Sequence, residues 1–168
     1  MRDIGSLLVW IGVQAGFDRD HVVVMGGSYG GYMTLASLVS YGERLRGGID
    51  VAGISDFVSF LRNTSAYRRD LRRAEYGDER DLHMRVFLEH ISPLNNATRI
   101  KKPLLVVAGL NDPRVPASES EQLVWRIRSA GGEVWYLTAR NEGHDFRRKS
   151  DRDAYLQVAA AFLAKLAH

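Results

Sequence analysis

The sequence predicts an α/β protein, a parallel sheet with helices packed on its faces. Two observations carry the prediction. Short unbroken aliphatic and β-branched runs recur, most of them bounded by glycine or proline, and stretches of helical periodicity fill the intervals between them. That alternation demands right-handed crossovers, which bury both faces of a sheet. The chain has 168 residues, 45% hydrophobic and 26% charged, which suits one domain over residues 1–168 with a substantial core.

The elements follow in order. Asp3 to Ala15 reads as an amphipathic helix with Ile4, Leu7, Leu8 and Ile11 on one face. Its apolar run is short and follows an acid, Asp3, so a helix is preferred to a leader peptide and the cytoplasm is the expected location. His21-Val22-Val23-Val24-Met25 is the first strand, apolar throughout as in a strand covered on both faces. Gly26 to Gly31 form a tight turn, and Tyr32 to Tyr41 a helix stopped by Gly42. Gly48 to Ile54 is the second strand. Residues 55–96, Arg-rich, aromatic and mostly helical in pattern, break the rhythm and are expected as a helical insertion over one end of the sheet. Leu104 to Ala108, between Pro103 and Gly109, is the third strand, and Val134 to Leu137, after Gly131-Gly132, the fourth. Helices over Ser118–Ser129, with Leu123, Val124 and Ile127, and over Asp151–Leu166, with Tyr155, Val158, Ala159 and Phe162, complete the pattern.

Composition excludes several functions. Lys and Arg number 23 against 20 Asp and Glu, a net charge of +3, too even for a nucleic-acid binder. Cysteine is absent, which removes disulfides, thiolate metal sites and a thiol nucleophile. No apolar run approaches the roughly 18 residues of a membrane helix. His83 and His90 lack any accompanying ligand spacing, and the glycine run lacks the Gly-Lys-Ser/Thr of a phosphate loop. No metal, organic cofactor, nucleic acid or membrane is expected as a partner. The arginine pairs Arg68-Arg69 and Arg72-Arg73 are interspersed with acids and are expected on a solvated, ion-paired surface.

The residues that carry chemistry begin with Gly26-Gly27-Ser28-Tyr29-Gly30. A G-x-S-x-G pattern alone is weak, but here a strand runs into it and a helix runs out. A nucleophile elbow needs that arrangement to expose its serine on a strained turn. Serine needs a base to take its proton, and the base needs an orienting acid. Asp112, in Gly109-Leu110-Asn111-Asp112-Pro113, follows the third strand, and His144, in Asn141-Glu142-Gly143-His144-Asp145, follows the fourth. The order Ser, Asp, His fits, and all three fall beyond the carboxyl ends of strands on one edge of the sheet.

With these motifs in register, the chain resembles the C-terminal part of the catalytic domain of the prolyl oligopeptidase family, of the α/β-hydrolase superfamily. The resemblance rests on Gly26 to Met33, Asn111-Asp112-Pro113-Arg114-Val115-Pro116 and Glu142-Gly143-His144. Asn63-Thr64-Ser65, Tyr67-Arg68-Arg69 and Ile91-Ser92-Pro93-Leu94 look like its acylaminoacyl-peptidase branch. It implies a truncated α/β-hydrolase, with Ser28 as nucleophile, Asp112 as orienting acid, His144 as general base and the Tyr29 N–H in the oxyanion hole. Asp145 stands where family members often have glycine, and is expected to face solvent. Val115, Phe57, Phe60 and Tyr67 are expected to line the acyl pocket.

The implied substrate is a peptide or a small ester, the implied reaction acyl transfer to water. The family's propeller domain has no counterpart in the sequence, nor has the segment that supplies the second oxyanion donor. A fragment inactive without an upstream half is therefore the competing expectation. Residues 22–25 would form an interior strand in the complete fold; left as an edge they are expected to pair with a second copy, giving a homodimer or oligomer, or with a partner segment encoded elsewhere.

Overall fold

The computed structural model describes residues 1–168. Its centre is a four-stranded, wholly parallel sheet in the order β1-β2-β3-β4, formed by Val23–Gly27, Gly47–Val51, Leu104–Gly109 and Val134–Ala139. Register is continuous across it, with Met25 beside Ile49, Ile49 beside Leu105 and Leu105 beside Trp135. The helices are α1 (Arg2–Gly12), α2 (Tyr29–Tyr41), α3 (Phe57–Asn63), α4 (Ala66–Tyr76), α5 (Leu82–Ile91), α6 (Ala117–Ser129) and α7 (Lys149–Leu166).

Strand alternation sends successive side chains to opposite faces. Leu104 and Val106 pack with Leu35 and Leu38 of α2, Leu123, Val124 and Ile127 of α6 and Leu8 of α1. Ile49, Leu105 and Val107 pack on the other face with Ala159, Phe162 and Leu166 of α7. A third cluster joins Tyr32 and Ala36 of α2 to Phe57, Phe60 and Leu61 of α3, Leu88 of α5 and Val115. This cluster seats the three helices of residues 55–96 over the end of the sheet where the strands finish. Asp56 and Asp81 cap α3 and α5 by accepting from the Ser59 and Met84 N–H groups, both at 2.8 Å.

Two expectations are corrected. Of the apolar face assigned to the first helix, Leu8 is buried and Ile4 and Ile11 are half-buried, but Leu7 is exposed. Positions 4, 8 and 11 cluster on one line of the helix and position 7 sits on its flank. The first strand begins at Val23, not His21, and is only partly covered: Val23 and Val24 are half-buried, packed against the clusters on opposite faces, and Met25 is 64% exposed. β1 is an edge of the sheet, so an apolar sequence suited to the interior lies with one side open.

Asp50 sits near the carboxyl end of β2 with no exposure. Neither carboxylate oxygen has a well-formed hydrogen bond. Burial pushes its pKa up to about 7, with the Gly53 backbone pulling the other way. No helix is long and apolar enough to cross a membrane.

Candidate active site

The site begins where β1 ends. Ser28 turns the chain at φ 58°, ψ −120°, a region that costs about 1–3 kcal/mol and persists only where its surroundings hold it. The hold is visible: Ser28 N–H donates to Val51 O at 2.9 Å, and Ser28 O accepts from Tyr32 N–H at 3.1 Å. Close approach makes glycine obligatory nearby, since a Cβ on Gly26 would lie 2.3 Å from Gly30 O. Tyr29 opens α2, so its N–H is one of the helix's first-turn donors without an intrahelical partner. The residue is 48% exposed, and its ring stacks on Tyr76 at 5.9 Å with an interplanar angle of 3°.

Asp112 and His144 meet beyond the ends of β3 and β4. His144 Nδ1 and Asp112 Oδ2 are 2.6 Å apart, and Asp112 is buried. The other carboxylate oxygen, Oδ1, accepts from Arg114 N–H at 2.7 Å and Val115 N–H at 3.1 Å, so the acid is fixed from both sides. The acid loop is stapled in turn to the end of α3. Thr64 Oγ1 donates to Arg114 O at 2.7 Å and Ser65 N–H to Pro113 O at 3.2 Å.

The histidine loop is fixed by Glu142, whose carboxylate accepts from the Arg147 and Arg148 N–H groups at 3.0 and 2.7 Å. Those bonds hold its pKa below the usual carboxylate range. The two loops touch at Gly109, where a Cβ would lie 2.2 Å from Gly143 O. Asp145 is exposed, as expected.

Ser28 and His144 line one small cavity of about 60 Å³. Its apolar wall is Ile54, Phe60, Tyr76 and Val115, and its remaining wall is Arg68, Arg72 and Arg114. The Ser28 hydroxyl makes no hydrogen bond to the imidazole, so nucleophile and base are brought together across the cavity without being joined.

Of the residues expected to line the acyl pocket, Val115 and Phe60 border the cavity. Phe57 is not: it is 2% exposed, packed edge-on against Tyr32 at 4.8 Å, and belongs to the core. Tyr67 is 76% exposed and lines an outer groove with Pro113, Gly143 and Asp145, on which His144 also borders. Both miss the cavity because α3 and α4 turn other faces toward Ser28. Tyr76 and Arg72 escape a reading by composition, but Arg68, Arg72 and Tyr76 are spaced by four, which places all three on one helical face.

A second buried carboxylate braces this region. Glu119 on α6 accepts from Ser55 N–H at 3.2 Å, Ser55 Oγ at 3.0 Å and Asp56 N–H at 2.8 Å, and from the Ser59 hydroxyl. Burial raises its pKa to about 7 against the pull of those donors, chiefly the Ser59 hydroxyl. No group of three or more histidine, aspartate or glutamate side chains is disposed to hold a metal ion.

A parallel sheet with a strained serine after one strand and an aspartate–histidine pair after two later ones defines a portion of an α/β-hydrolase. The family is also fixed: residues 1–168 match the model of the prolyl oligopeptidase family, and the chain belongs to it. Dipeptidyl aminopeptidase BIII of Pseudoxanthomonas mexicana is 35% identical over 166 residues, covering 97% of this chain and 24% of that protein. Esterase LipC of Mycobacterium tuberculosis is 29% identical over 162 residues, covering 86% of this chain and 40% of that protein. A solved puromycin-hydrolyzing peptidase of Mycobacterium tuberculosis superposes with a TM-score of 0.86 at 29% identity, over 97% of this chain and 24% of its own. The chain thus spans about a quarter of the length of the peptidase relatives.

Proposed function

We propose that this chain carries the catalytic residues of a serine hydrolase that cleaves amide or ester bonds through an acyl-enzyme. Ser28 Oγ attacks the carbonyl carbon while its proton passes to His144 Nε2. Asp112, bonded to Nδ1, orients the imidazole and stabilises its charged form. The tetrahedral oxyanion is received by the Tyr29 N–H at the start of α2. Collapse expels the amine or alcohol, which takes the proton from His144, and water repeats the sequence to release the acid and restore Ser28.

The observation that carries the reading is the 2.6 Å contact between His144 and a doubly held Asp112, in a site whose cavity also takes in a serine at φ 58°. Relatives named as peptidases favour a peptide substrate. A second reading, a carboxylesterase acting on small esters, is supported by the likeness to esterase LipC.

A cytoplasmic location belongs to the same proposal. So does a homodimer paired along the open side of β1.

Covalent labelling of the purified chain with a fluorophosphonate, read by intact mass, tests the reading. Labelling lost in Ser28→Ala and His144→Ala is the expected result. A folded chain that takes no label is a fragment inactive without further segments, and the proposal then fails for the chain alone.

A further inference from the structure

The cavity beside Ser28 is cationic in a way that acyl transfer to water does not require. Arg68, Arg72 and Arg114 all line it, and no carboxylate does. The arginines nearby that serve structure can be told apart by their partners. Arg73 is bound by Glu79, Asp70 and Asp78. Arg69 also has a buried Nε without a partner, but it donates through its terminal nitrogen to Thr64 O at 3.3 Å and does not line the cavity. Arg72 has one ion pair, with Glu75, and its guanidinium lies 5.9 Å from the Tyr76 ring centre. Arg68 has neither an acidic partner nor a hydrogen bond, and its Nε is buried and unsatisfied. A buried donor without a partner is a standing cost, removed when an acceptor arrives.

The geometry points to a carboxylate-binding subsite formed by Arg68 and Arg72 next to the nucleophile, so that the preferred substrate carries a free carboxylate a few bonds from the carbonyl that Ser28 attacks. This deepens the hydrolase reading and rests on it. A guanidinium presents its donors in a planar fork that matches a carboxylate, and charge-assisted bonds made in a site shielded from water are the strong ones. The cavity holds about 60 Å³, roughly two water volumes and enough for a carboxylate on a short stem. Ile54, Phe60 and Val115 offer that stem an apolar wall. The carboxylate can belong to the acyl portion, as an acidic side chain does, or to the leaving portion, as a peptide's C-terminus does. Both present the same group to Arg68.

Two pairs of esters, assayed with the full chain and corrected for spontaneous hydrolysis, separate the sources. Mono-4-nitrophenyl glutarate against its methyl ester places the charge on the acyl side. 3-Acetoxybenzoate against methyl 3-acetoxybenzoate places it on the leaving side. The expected result is a kcat/KM about tenfold or more higher for the free carboxylate in at least one pair. That ratio falls toward one in Arg68→Gln and is partly restored in Arg68→Lys. Equal or lower kcat/KM for the free carboxylate in both pairs overturns the subsite, as does a preference that Arg68→Gln leaves unchanged.

A chain that turns over none of the four esters has failed as a hydrolase, and the subsite is then read separately. Arginine Nε–H resonances are followed by NMR as glutarate is added. A saturating shift in the resonance missing from Arg68→Gln supports the subsite, and a spectrum that glutarate does not move overturns it.

Discussion

Ser28, Phe57 and Asp50 each occupy positions that their chemistry alone does not select. Ser28 is exposed to the cavity because β1 ends in glycines that let α2 cross directly above, and Gly26→Ala is expected to abolish labelling of Ser28 by driving a methyl into Gly30. Phe57, aromatic and close in sequence to the site, is a core residue: Phe57→Ala should cost about 3–5 kcal/mol in urea unfolding. Asp50 is held at a pKa of about 7 in the folded chain against an ordinary value of 3.8. The folded protein therefore keeps a proton that the unfolded chain releases, and Asp50's contribution to stability falls as pH rises from about 4 to about 7. Asp50→Asn is neutral throughout. Its stability relative to wild type should rise across that window and level off above it, and a difference independent of pH would exclude the effect.

At the scale of elements, α3 to α5 do more than cover the sheet. The end of α3 grips the loop that carries Asp112 through Thr64 and Ser65, while Glu119 on α6 grips the start of the same insertion through Ser55, Asp56 and Ser59. The orienting acid is thus positioned by a segment far away in sequence. Thr64→Val keeps the shape and removes the donor, leaving the Arg114 carbonyl unsatisfied. We expect a loss of about 1–3 kcal/mol, with slower fluorophosphonate labelling than wild type. Unchanged labelling would mean that the acid loop holds its geometry without α3. The α4 face of Arg68, Arg72 and Tyr76 is set by the same packing, which turns Tyr67 outward.

Over the whole molecule the surface is larger than its mass requires. Accessible area is 9235 Å², against roughly 8300 Å² for a compact monomer of this mass. The excess is on the order of 900 Å². Part of it is β1, an unpaired edge with Met25 exposed. Met25→Lys places a charge on that edge, and edge lysines oppose strand pairing. Light scattering at micromolar concentration should give a dimer for wild type and a monomer for Met25→Lys. A wild-type monomer that unfolds cooperatively would exclude the pairing and leave the edge to another segment.

The sequence by itself determined the class of fold, the four strands within a few residues, and the three residues of the proposed triad. Those features are local: strands announce themselves by unbroken apolar runs, and Ser28, Asp112 and His144 sit in short motifs at strand ends. Only the tertiary structure decided which aromatic faces the cavity, that Phe57 is core, and that Arg68 stands without a partner. Each depends on which face of an element meets a neighbour distant in sequence, and helical periodicity fixes a face without naming what it meets. Arg68 and Arg73 are alike in composition and helix, and packing alone gives one its three acids and leaves the other turned toward Ser28.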